Sequence, residues 1–443
     1  MKISQIDLWH VSVPSPGPFY PSWIPGLPQT ANRFTLIRLR TEGGLEGWSA
    51  GSAMGRERDG LGDLLGPYLL GERADDIPSI QQRIREMGYL GWRIGWIEPA
   101  CWDIIGKARN KPVYQLLGGA PGKVKLYAST GEVKSGAERI VEVQKRMQEG
   151  FEAVKLRVHD QTLEEDVAQI RETREGVGED VVLGVDANQA WRVAVVADAP
   201  KWDYERALAF CREAEELNYT WVEEPLPMDA YQEMARLREA TEISISGGEL
   251  NNQGLPEFKV MLEKGCYDWY QPDAVFTGGI AGTWQIIKRV TEAGFKYSPH
   301  TWTNGIGFAI NLQLHGASPT REATYLEYPY DPPNWVPEVR DGILEQPWLH
   351  QQGMLELPTG PGLGFKIDAK ALRKYGSHFF RATKLRMALH AVLDKGIGTA
   401  REIGAVRDAR LEARHRELEK RIARGEDPVQ DAITSEKTPT GRD

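Results

Sequence analysis

In the stretch AVKLRVHD, Lys155, Arg157 and His159 stand at alternate positions after the apolar pair Ala153 and Val154. A strand has a period of two, so all three cationic or cation-capable side chains would share one face, where an anion would meet them. Further along, carboxylates end successive short apolar runs: Asp186 in GVDAN, Glu223 in WVEEP and Glu249 in GGE. Three carboxylates brought close repel one another and take raised pKa values unless a cation neutralises them. An all-oxygen set suits a hard divalent ion, Mg²⁺ above all, with open positions for water or substrate. Any one of these acids alone reads better as the cap of a following helix, and it is three in a row on adjacent strands that favour a metal. Asp273 in QPD and His300 in SPHT end the next two runs. Such a pair lets the carboxylate hold one ring nitrogen while the other serves as a general base; a plain loop donor is the other reading of His300. Glu327 ends the last run, as a protonated hydrogen-bond donor or as one half of a loop ion pair.

These residues need a scaffold that brings strand ends together. From about residue 123 to 328, apolar runs alternate with amphipathic helical patterns. The strand candidates are KVKLYAST, FEAVKLRV, DVVLGVDAN, YTWVEEP, EISISGGE, YDWYQPD, FKYSPHT and EATYLEY. Their spacing is near the ~30 residues per βα unit of an eight-stranded parallel barrel. A doubly wound open sheet would carry a Gly-rich phosphate loop after its first strand, and YASTGEV is a poor match. In a barrel, chemistry comes from the C-terminal ends of the strands, which is where Lys155, Arg157, Asp186, Asn188, Glu223, Glu224, Glu249, Asp273, His300 and Glu327 fall.

The flanks read differently. Ile3 to Val13 and FTLIRLRTEGGLEGWSAG read as strands with a hairpin turn at Glu42-Gly43-Gly44. Between them SPGPFYPSWIPGLPQT reads as an irregular loop exposing Tyr20 and Trp23, one that packs on the surface or closes over a ligand. Residues 57 to 117 read as helical, with EPACWDIIGKARNKPVYQLLGG ending at Gly118-Gly119. Residues 331 to 368 read as irregular chain. After Phe379 a helical tail follows, whose narrow stripe of Leu411, Leu418 and Ile422 suits a solvated or oligomer-contacting helix. The last dozen or so residues read as disordered.

Composition narrows the class. Hydrophobic residues at 41% and charged residues at 26% are ordinary for a globular chain of 443 residues. A net charge of −9 argues against nucleic acid or an anionic membrane as partner and leaves a small molecule. Cys101, Cys211 and Cys266 lie far apart, fitting buried thiols in a reducing compartment. MKISQIDLWHVSV alternates like a strand and not like a signal peptide, and no run is long enough to cross a bilayer, so a cytoplasmic location is expected.

The motifs together resemble the enolase superfamily, in its mandelate racemase and muconate lactonizing enzyme branch. They are KLR in place of a Lys-x-Lys strand end, GVDAN, WVEEP, GGE, PDAVFTGGI, SPHTWTNGIG, the helix CWDIIGKARNKPVYQLLGG and the closing PGLGF. The resemblance implies a (β/α)7β TIM-like barrel (123–330) under an α+β capping domain (1–122). A segment (331–382) would pack back on the cap, and a helical extension (383–443) would follow. It implies Mg²⁺ held by Asp186, Glu223 and Glu249, and removal of the proton α to a metal-bound carboxylate to give an enolate. It implies a base dyad of Asp273 and His300, an acid at Glu327 that hydrogen-bonds the enolate oxygen, and Lys155 on the substrate carboxylate. Arg157 replaces the second lysine, the base of the opposite face. Arginine keeps its proton above pH ~12, so a two-base racemase is disfavoured, and syn dehydration of an acid sugar through His300 alone is favoured. A racemase, epimerase or cycloisomerase is the enzymatic alternative, and a non-catalytic carboxylate-binding barrel the other. Asn188, Trp302, Asn304, Tyr20, Trp23 and Arg56 are the expected substrate contacts. His159 reads as a loop residue, RVAVVADAPKW as an insertion after the third barrel strand, and a homo-oligomer is expected.

Overall fold

The computed structural model describes residues 1–434. Its strands are, in chain order, β1 (Ile3–Phe19), β2 (Gln29–Thr41), β3 (Glu46–Ser52), β4 (Lys123–Ser129), β5 (Ala153–Arg157), β6 (Val182–Asp186), β7 (Trp221–Glu223), β8 (Ser244–Gly247), β9 (Trp269–Tyr270), β10 (Lys296–Tyr297), β11 (Leu326–Pro329), β12 (Met354–Glu356) and β13 (Gly376–Thr383). The first three form an antiparallel sheet with β13, in the order β13-β1-β2-β3. Helix Pro99–Arg109 packs so close on this sheet that a Cβ at Gly47 would lie 1.9 Å from the Ala100 carbonyl oxygen. Asp103 on that helix accepts from Trp48 N at 3.0 Å and from Leu363 N at 3.0 Å, so the PGLGF segment is tied to the cap through one buried carboxylate.

All eight barrel strands read from the sequence are present, parallel, in the order β10-β9-β8-β7-β6-β5-β4-β11, with seven intervening main helices. This is the (β/α)7β arrangement. Among the described residues no ladder joins β10 to β11. Side chains close that gap instead: Ser298 Oγ donates to Tyr325 O (2.7 Å), Thr324 Oγ1 to Tyr297 O (3.0 Å) and Thr301 Oγ1 to Glu327 O (2.9 Å). Register levels the site, since Arg157 pairs with Asp186 across β5 and β6, and Asp186 with Glu223 across β6 and β7.

Several sequence readings change, and residues 331–368, read as irregular, include helix Pro337–Arg340 and strand β12, which pairs with β4. SPGPF belongs to β1, not to a loop. β13 pairs with β1 only as far as Val11, so beyond that point β1 lacks a second neighbour on that side, where proline is tolerated. The helix expected to run to Gly118 breaks after Arg109, where Asn110 takes φ 51°, and restarts as Val113–Leu116. GSHFFRAT is strand β13 and not the start of a helical tail. The tail forms helices Lys384–Lys395, Ile397–Ala423 and Pro428–Thr434, and it docks on the cap more than the narrow stripe suggested. Leu411 and Leu418 are buried, Arg414 pairs with Glu72, and Arg109 bonds Asp427 at 2.7 Å; Ile422 remains 42% exposed. The expected terminal disorder concerns residues 435–443, which lie outside the described part, whereas the stretch up to Thr434 is helical.

Candidate active site

At the C-terminal ends of the barrel strands the predicted residues come together, almost all of them fully buried. Lys155 Nζ sits 2.5 Å from Glu223 Oε1, 2.8 Å from Glu327 Oε1 and 3.4 Å from Asp186 Oδ2. Arg157 pairs with Asp186 through Nη1, and its Nε donates to Thr130 O at 2.7 Å. Its guanidinium lies against two indoles that meet edge to face, 5.2 Å from the ring centre of Trp23 and 5.6 Å from that of Trp302. His300 is bonded at Nδ1 to Asp273 Oδ2 (3.0 Å), with Nε2 3.4 Å from Glu249 Oε2. The dyad geometry expected from the sequence is therefore present.

The three acids read as metal ligands are each occupied by a protein cation: Asp186 by Arg157, Glu223 by Lys155, Glu249 by His300. In keeping with this, no three His, Cys, Asp or Glu side chains among the described residues stand as a ready-made metal cage. The chemistry of the set still fits a divalent ion. Asp186, Glu223, Glu224, Glu249, Asp273 and Glu327 face only Lys155, Arg157 and His300, an excess of buried acid over base. Burial and neighbouring acids push the Glu223 carboxyl up to about 8, and raise Glu249 as well. Glu224, which is buried and left-handed at φ 49°, has an unpartnered Oε2 and is raised further, chiefly by burial and by Glu249. Oxygen donors short of positive charge are what a hard cation satisfies. Asp186, Glu223 and Glu249 are the residues that would hold it.

His300 responds to the same imbalance. Burial works against its charge, yet Glu249 and the Asp273 bond overcome this and lift the imidazole to about 9. Of the two readings of Glu327, donor or ion-pair member, the structure shows the ion pair, made with Lys155 on a strand rather than in a loop. Burial alone would raise its pKa, but Lys155 and His300 hold it down at about 2. Its oxygens accept from Ser129 Oγ (2.8 Å) and from Thr301 N (2.6 Å), so in this arrangement it is an ionised acceptor.

The expected substrate contacts divide. Trp23 and Trp302 join Phe19 and Trp335 in an aromatic cluster over the mouth, and Asn188 Oδ1 receives Arg157 Nη1 at 3.3 Å. Tyr20 lies at the rim, half exposed. Asn304 is instead a helix cap, its Oδ1 accepting from Ile306 N and Gly307 N at 3.1 and 3.0 Å. Arg56 is exposed on the cap and takes no part in these contacts. Sequence reasoning missed Asn311, whose Nδ2 donates to Asp273 Oδ1 (2.7 Å), and Gln271, whose Nε2 donates to Glu223 Oε2 (2.7 Å). A polar residue inside the apolar helix GIGFAINLQLHGA was the available signal for the first. Gln271 stood beside the QPD motif.

Fold and site together define a capped (β/α)7β barrel with an acid–base centre at its strand ends. The family model "Enolase C-terminal domain-like" matches residues 138–371, and "Mandelate racemase / muconate lactonizing enzyme, N-terminal domain" matches residues 15–118. The chain belongs to this branch of the enolase superfamily. It is 29% identical to an arabinonate dehydratase of Saccharolobus solfataricus, over 80% of this chain and 93% of that protein. It is 26% identical to a D-galactarolactone cycloisomerase of Agrobacterium fabrum, over 77% and 90% of the two chains. Among solved structures, the 3,6-anhydro-D-galactonate cycloisomerase of Zobellia galactanivorans superposes with a TM-score of 0.71 at 26% identity, covering 85% of this chain and all of that one.

Proposed function

We propose that this protein is a Mg²⁺-dependent hydro-lyase acting on an acid sugar of the aldonate type, converting it to the 2-keto-3-deoxy acid. The observation that carries the reading is the asymmetry of the site: one face has a proton-transfer group, His300 on Asp273, and the other has Arg157, which has none to offer. His300 Nε2, once it has lost the proton that Glu249 and Asp273 hold on the ring at neutral pH, takes the α-proton while Asp273 holds Nδ1 and stabilises the imidazolium that forms. The same imidazolium then gives its proton to the β-hydroxyl on the same face, water leaves, and the enol tautomerises to the keto acid. Lys155, held charged by Glu223 and Glu327, and Arg157, held by Asp186, supply positive charge where the substrate carboxylate gains electron density. A bound divalent cation would supply Lewis acidity toward that carboxylate. Dehydration is also the reaction named for the relative at 29% identity.

A cycloisomerase is the second reading, favoured by the relatives that carry that name and fully compatible with one base. Incubation with a panel of acid sugars and Mg²⁺, followed by assay of 2-keto acid, separates the two. Keto-acid formation is expected with at least one aldonate, and His300→Asn should lower its rate by about 10²- to 10⁴-fold, the usual worth of a general base. Turnover that survives His300→Asn sinks the assignment of the base; isomerisation with no loss of hydroxyl replaces the lyase by an isomerase.

A further inference from the structure

His159 ends the cationic stretch with no part in the chemistry above, yet it is buried to 9% exposure and reaches the cap. Its Nδ1 donates to the carbonyl oxygen of Ser22, in the loop of residues 20–28 that joins β1 to β2. Ser22 is held twice more: its N donates to Gly131 O at 2.8 Å, and its Oγ donates to Asn188 Oδ1 at 2.5 Å. That same Asn188 oxygen accepts from Arg157. The next residue, Trp23, lays its indole against the Arg157 guanidinium. Beside this stretch lies a cavity of about 350 Å³ whose lining includes Tyr20, Pro25, Glu132 and His159, while further along the loop Ile24 is buried and Pro25 O accepts from Ala197 N at 3.4 Å. Polar bonds at one serine therefore join a cap loop to the site cation.

We propose that His159 and Ser22 form a latch that keeps loop 20–28 closed over the barrel mouth, acting as positioning residues for Trp23 and, through Asn188, for Arg157. Burial holds the His159 imidazole below its usual pKa, so at neutral pH it is the uncharged tautomer with its proton on Nδ1, which is the form the carbonyl requires. The latch concerns loop closure and stands apart from which member reaction the site performs; its test uses no substrate.

Amide hydrogen exchange of the full-length protein reads the latch directly, because a loop freed of a buried hydrogen bond opens more often. His159→Phe keeps the ring and removes the donor, Ser22→Ala removes the bond to Asn188, and His159→Asn restores an N–H near the position of Nδ1. The expected result is exchange at least about fivefold faster across residues 20–28 in His159→Phe and Ser22→Ala, with the barrel strands unchanged. His159→Asn should fall close to the natural protein. Unchanged exchange of the loop in His159→Phe overturns the latch, as does His159→Asn exchanging as fast as His159→Phe. If His159→Phe loosens the barrel as a whole, Ser22→Ala decides, and a loop as protected as before in that variant overturns the proposal.

Discussion

Arg157 sets the character of this site more than any other single residue. Its guanidinium is held by Asp186, Thr130 O and Asn188 and lies against Trp23 and Trp302, so it is fixed in place and does not titrate in the working range of an enzyme. Replacing it with lysine changes both properties, because an ammonium keeps the charge on a flexible stem and gives up its proton far more readily than a guanidinium does. Arg157→Lys is expected to gain exchange of the substrate α-proton with solvent on the face opposite His300, seen as deuterium incorporation in recovered, epimerised substrate. A variant that dehydrates more slowly with no exchange would show that Arg157 acts only as a clamp. Much of this chemistry was legible residue by residue, since Asp186, Glu223, Glu249, Asp273 and His300 each end an apolar run. What the letters could not carry was occupancy. Lys155 and Arg157 lie among the acids, and Glu327, read as a donor or as half of a loop ion pair, is ion-paired to Lys155 and surrounded by donors. Such reversals depend on where neighbouring strand ends point, which local pattern does not encode.

At the scale of elements, the eight barrel strands were readable because each is a short apolar run between amphipathic helices. Strand β13 was not, although GSHFFRAT buries Phe380 and Ala382 in alternation, since its partner β1 lies at the far end of the chain. Nor was the absence of a ladder between β10 and β11, which places an unusual share of barrel closure on three hydroxyls. Thr301 is the most engaged of them: its Oγ1 donates to Glu327 O and its N to Glu327 Oε2, so it closes the barrel and fixes a site residue at once. Thr301→Val keeps the shape and β-branching but leaves a buried carbonyl without its donor. The expected loss is about 1–2 kcal/mol of unfolding free energy, measured by urea denaturation. A loss well below that would mean the seam is closed by packing alone.

The whole molecule depends on a second seam, between cap and barrel, and one carboxyl sits in the middle of it. Glu98, just before cap helix Pro99–Arg109, accepts from Ile280 N (2.7 Å) and Ala281 N (3.1 Å) at the start of barrel helix Gly279–Glu292, and from Trp102 Nε1 (2.8 Å). Helix Pro428–Thr434 buries Val429, Ala432 and Ile433 where the cap helix Ile77–Gly88 and the same barrel helix meet. The tail thus reinforces the joint that Glu98 bridges, a role its own narrow apolar stripe did not reveal. Burial outweighs the three donors and raises the Glu98 carboxyl to about 7. A folded-state pKa above the unfolded one means that the protonated form is favoured on folding. The contribution is therefore fully present below the unfolded value of 4.5 and is lost as pH rises through about 7, amounting to as much as about 3 kcal/mol. Glu98→Gln cannot titrate, so its unfolding free energy minus that of the natural protein should climb between pH 5 and 8 and level off above, whatever constant offset the amide introduces. Urea midpoints at four pH values across that window measure it. Parallel curves for the two proteins would mean that the donors of the barrel helix, not burial, govern Glu98, and that the seam carries a permanent negative charge.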